Sequence, residues 1–124
     1  MKKLSRKEET ACENATYEID VRKGFQLAGF YFSVEAEHSN CKGLARNNNL
    51  GTCDSGTKEI KIETGYGPTQ TSETFIHEIL EAITWHYLRD KLRHEDLVRM
   101  SLGLHQVMES LGVRFVIRER KEKL

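Results

Sequence analysis

The sequence predicts an α+β domain: a small antiparallel or mixed sheet of three to four strands packed on two main helices. Two stretches of helical periodicity lie in the C-terminal half, one through Phe75, Ile76, Ile79, Leu80, Ile83, Tyr87 and Leu88, the other through Leu97, Met100, Leu104, Val107, Met108 and Leu111. Several short alternating or aromatic-rich runs precede them, as strands do. A length of 124 residues with 38% apolar composition fits one compact core and not two.

The elements follow in chain order. Residues 1–13 read as a solvated arm, 14–118 as the folded domain and 119–124 as a charged tail. Residues 16–22 alternate apolar and polar, which suits a half-buried strand, and Lys23-Gly24 marks a turn. Residues 25–37 are aromatic and β-branched with Gly29 interrupting them, which places a second strand at 30–37. Residues 38–56 are polar and turn-rich and read as a long loop. Residues 57–63 alternate again, and their charges suit an exposed edge strand. The first helix is expected to begin near Thr71 or Ser72, either of which supplies a capping hydroxyl, with Pro68 just before it. A break at 89–93 separates it from a second helix over 94–110, closed by Gly112. Residues 113–118 read as a last strand.

Composition limits the function. The 19 basic and 19 acidic residues balance to zero net charge, so no specific nucleic-acid binding is expected. No run approaches a membrane span, and the N-terminal residues lack the apolar segment of a secretory signal, so a cytoplasmic location is expected. The three cysteines, Cys12, Cys41 and Cys53, are an odd set without CxxC spacing and read as free thiols, with a Cys41/Cys53 metal pair as a weak alternative.

The chemistry concentrates in His77-Glu78-Ile79-Leu80-Glu81. Residues four apart share a helix face, so the His77 imidazole and the Glu81 carboxylate can reach one cation, and both donor types suit Zn²⁺. Glu78 lies about 100° around the helix and takes the place of the general base in HExxH peptidases. A catalytic zinc takes three protein ligands and keeps one open position; such a metal brings the pKa of water to about 7. His94, at the start of the second helix, is the best third ligand, because an antiparallel helix pair brings it back towards the first. His86 lies about 180° from His77, and His105 lies about 16 Å beyond His94 along the helix, so neither shares the ion. His38 stays open. The competing reading makes these residues ordinary surface polar groups.

Residues 73–83, Glu-Thr-Phe-Ile-His-Glu-Ile-Leu-Glu-Ala-Ile, resemble the active-site helix of small phage-type metallopeptidases, minimal zincin domains related broadly to the ImmA/IrrE and SprT-like groups. The likeness extends to Gly51-Thr52-Cys53-Asp54 with residues 58–62 upstream, and to residues 94–97 and 103–108 downstream. It implies a zincin-like fold and a zinc-dependent peptidase acting on a peptide or protein. Its ligands would be His77, Glu81 and His94, and its base Glu78. Ile60, Lys61 and Ile62, as the edge strand, would align the peptide by β-addition. Glu81 stands where HExxH carries its second histidine. That departure supports an alternative: an inactive zincin-fold module that binds a host or phage protein.

Overall fold

A computed structural model describes residues 16–37, 50–89 and 91–118. Within these residues the chain is α+β, with a four-stranded mixed sheet, a separate two-stranded sheet and two long helices. The expected arm and tail, His38, Cys12 and Cys41 lie outside the described residues.

Strand β1 is Tyr17–Asp20, followed by a 3-10 turn at Val21–Lys23 that Asp20 caps by accepting the Arg22 N–H. β1 is shorter than the alternation suggested and is mostly exposed, because it pairs only with the C-terminal strand and not with the main sheet. Strands β2, Phe25–Leu27, and β3, Phe30–Glu37, form a hairpin. Its turn residues, Ala28 and Gly29, both have positive φ, 53° and 81°, the conformation that matches the twist of the flanking strands.

Gly51–Asp54 is strand β4, within the region expected to be loop. It carries no apolar alternation, and it forms because its backbone pairs antiparallel with β5, Glu59–Glu63. β5 also pairs in parallel with β3, so the sheet order is β2-β3-β5-β4. This corrects the placement of Ile60, Lys61 and Ile62. Their strand is interior, Ile60 and Ile62 are fully buried, and the edge belongs to β4. Charge pattern misled here because Lys61 pairs across to Glu37 on β3 at 3.8 Å and along its own strand to Glu59 at 3.5 Å, and does not sit on a free edge.

Helix α1 spans Pro68–Ile83. It starts earlier than expected, with Pro68 in the first turn, where a missing N–H costs nothing. Thr71 and Ser72 are therefore buried inside the helix instead of capping it. The Thr71 hydroxyl donates to the Gly67 carbonyl at 2.9 Å, and Ser72 Oγ accepts the Phe115 N–H at 3.0 Å. A π-helical turn at Thr84–Leu88 extends α1 and stops at Arg89, whose φ is 51°. Helix α2, His94–Ser110, returns along α1, and Gly112, at φ 78°, leads into β6, Val113–Val116. β6 pairs in parallel with β1.

The core lies between α1 and the two central strands. Phe32, Val34, Ile60 and Ile62 are each at most 1% exposed and pack with Val21, Phe75 and Ala82. Each such side chain contributes about 1.5–3 kcal/mol of burial. Phe75 is held edge-on to Phe25 at 6.1 Å and tilted on Phe115 at 5.0 Å, which ties α1 to both sheets. The apolar stripe assigned to α2 is only partly inward. Leu97 is buried, whereas Met100, Leu104, Val107 and Leu111 are exposed, and the fully buried polar neighbour of Leu97 is Ser101. No described helix is long and apolar enough to cross a membrane.

Candidate metal centre

The inner faces of α1 and α2 and the edge strand β4 enclose an open cleft of about 650 Å³. Helix α1 presents Gln70, Glu73, Thr74, His77, Glu78 and Glu81 to it. These are the residues that successive turns place on one side of the helix. β4 reaches α1 closely because residue 51 is glycine. A Cβ there would stand 2.6 Å from Thr74 Cγ2 and 3.1 Å from Glu78 Cγ.

His77, Glu81 and His94 are brought together. Each offers one ligand atom, and the three atoms lie within 4.8 Å of one another. Glu81 Oε1 is central, 3.3 Å from His77 Nε2 and 3.7 Å from His94 Nδ1. Ligand atoms bound tetrahedrally at 2.0–2.1 Å stand roughly 3.4 Å apart, close to the two separations from Glu81, and two imidazoles with one carboxylate are a donor set that zinc accepts. His77 and Glu81 come from consecutive turns of α1; His94 comes from the first residue of α2, which the antiparallel return delivers to the same place.

Glu78 points to the β4 side of the cleft and is only 4% exposed. Burial, with the neighbouring Glu81 carboxylate adding to it, raises its pKa to about 7. Its Oε2 is buried with no hydrogen-bond partner among the described residues, an arrangement that a bound water or substrate group in the cleft would satisfy. Glu81 is held below the ordinary carboxylate range by the hydrogen bond from His77, against the opposing effect of burial. The same hydrogen bond raises the His77 pKa, again against burial.

The other two described histidines, His86 and His105, do not join the group. His86 packs between Phe30 and Phe32, with ring centroids 5.7 Å from each. His105 lies 3.4 Å from Glu109, which also accepts two hydrogen bonds from Arg114. Of the further residues at the centre, Ser101 went unnoticed in the sequence, and Cys53 was read there only as a free thiol or as half of a Cys41/Cys53 metal pair. Cys53, a free thiol on β4, lines the cleft, and burial followed by the Glu78 and Glu81 charges pushes its pKa up to about 12. Ser101 touches His77 across the helix pair; it lies two turns after His94, on nearly the same face, and that spacing was the available signal. Compared with protein-family models, with curated proteins and with solved structures, the chain matches none.

Proposed function

We propose that the protein is a zinc-dependent metallopeptidase that cleaves a peptide bond in the α1–α2–β4 cleft. The observation that carries this reading is the convergence of His77, Glu81 and His94 on one point, beside a buried carboxyl that none of them needs as a partner. Zinc, when bound, supplies a Lewis acid that polarises a carbonyl and makes hydroxide accessible near neutral pH. Glu78, with a pKa near the working pH, takes a proton from the attacking water and returns it to the leaving amine. β4, as the edge strand beside Glu78, offers its outer backbone groups to an extended peptide, the role first assigned to residues 60–62.

Glu78→Gln keeps the shape and hydrogen-bonding reach of the side chain but cannot accept the proton. The variant is expected to bind about one zinc per chain, as the wild type does, and to lose roughly 10²–10⁴-fold in peptide hydrolysis. Hydrolysis by the Gln variant at the wild-type rate overturns the catalytic role. A second reading is favoured by Glu81 itself. A carboxylate ligand donates more charge than an imidazole and weakens the Lewis acid, so the site would hold metal and a partner protein without cleaving it. Partner capture unchanged by Glu78→Gln, with no product from any peptide, selects that reading.

A further inference from the structure

We infer that Ser101 is a positioning residue that fixes which nitrogen of His77 faces the metal. The inference rests on the zinc reading above and adds a residue from the opposite helix to it. Ser101 is 2% exposed, and its Oγ lies 2.8 Å from the Val98 carbonyl of its own helix and 3.4 Å from His77 Nδ1. A hydroxyl has one proton. The Val98 carbonyl can only accept, so the proton goes there, and Oγ is left with lone pairs towards His77. The compatible arrangement carries a proton on Nδ1, donating to Ser101, so the Nε2 proton that the metal-free ring shares with Glu81 is the one a metal displaces, and the Nε2 lone pair goes to the metal. Nε2 is the nitrogen that faces Glu81, whose Oε1 also lies 3.7 Å from His94 Nδ1. Metal-ligating histidines commonly have their second nitrogen held in this way, and losing the support weakens metal affinity about 10–100-fold.

The hydroxyl does little for the fold. It bonds to a carbonyl within its own helix, a bond whose loss is minor and whose removal raises helix propensity. Ser101→Ala is therefore expected to melt, metal-free, within a few degrees of the wild type, while its zinc affinity, read by competition with a chromophoric chelator, falls about 10–100-fold. Ser101→Thr, which keeps the hydroxyl, is expected to restore most of that affinity. Equal affinity in the wild type and Ser101→Ala overturns the inference, as does a metal-free Ser101→Ala that melts far below the wild type. Nitrogen-15 spectra of the zinc-loaded wild type give a test independent of any variant. A protected Nδ1 proton on His77 supports the assignment, and coordination through Nδ1 overturns it. A wild type that takes up no zinc removes the metal reading itself, an outcome distinct from a zinc-loaded wild type matched by its alanine variant.

Discussion

Glu78 sits in an environment that its residue type does not prefer. A carboxyl in water titrates near 4.5, and burial here raises it to about 7. A carboxyl with a native pKa above its unfolded value binds its proton more tightly when folded. Its contribution to stability is therefore complete below pH 4.5 and disappears as pH rises through about 7. In metal-free protein, Glu78→Gln removes that penalty. The variant is expected to be more stable than the wild type at pH 8 by on the order of 3 kcal/mol, and so to melt at a higher temperature, with the gap closing at pH 4.5. Melts of both proteins at the two pH values check this; a gap that is constant with pH contradicts it. Under the proposed function, that liability is what keeping a proton-transfer group in the cleft costs the fold.

At the scale of elements, β4 and the two helices make the site, and the sequence disclosed them unevenly. The bounds of α2 were legible to the residue, because a turn signal precedes it and Gly112 follows it. The meeting of His77 and Glu81 on one face of α1 was legible because it needs only the period of the helix. β4 was invisible: Gly51, Thr52, Cys53 and Asp54 have no pattern, and the strand exists through pairing with β5 and through the close approach that Gly51 permits. The misplaced edge had the same cause. Alternating charge identifies a strand but not its neighbours, which depend on where β3 and β4 settle. Gly51→Ala tests the importance of that approach. The added methyl forces β4 away from Thr74 and Glu78, so stability is expected to fall by about 1–3 kcal/mol in urea denaturation. Zinc stoichiometry should stay unchanged, because no ligand lies on β4. Loss of zinc in this variant would tie the ligand set to β4 and contradict the division of labour.

For the molecule as a whole, the proposed ion is a cross-link. Two ligands belong to α1 and one to α2, which otherwise leaves Met100, Leu104, Val107 and Leu111 exposed and has few buried apolar side chains to hold it. Binding to the folded state alone stabilises by mass action, about 2.7 kcal/mol at a free concentration 100 times the dissociation constant. The melting temperature is thus expected to rise with zinc and return with a chelator. His94→Ala, which leaves both ligands on one helix, should flatten that response. A zinc-dependent rise of the same size in His94→Ala would show that α2 supplies no ligand.

X-ray absorption at the zinc edge, on protein purified without added metal, addresses the ligand set most directly. About one zinc per chain is expected, in a shell of nitrogen and oxygen only, at roughly 2.0–2.1 Å, with the outer scattering of two imidazoles. Protein free of zinc, or a sulfur neighbour at roughly 2.3 Å that brings Cys53 into the shell, would contradict it.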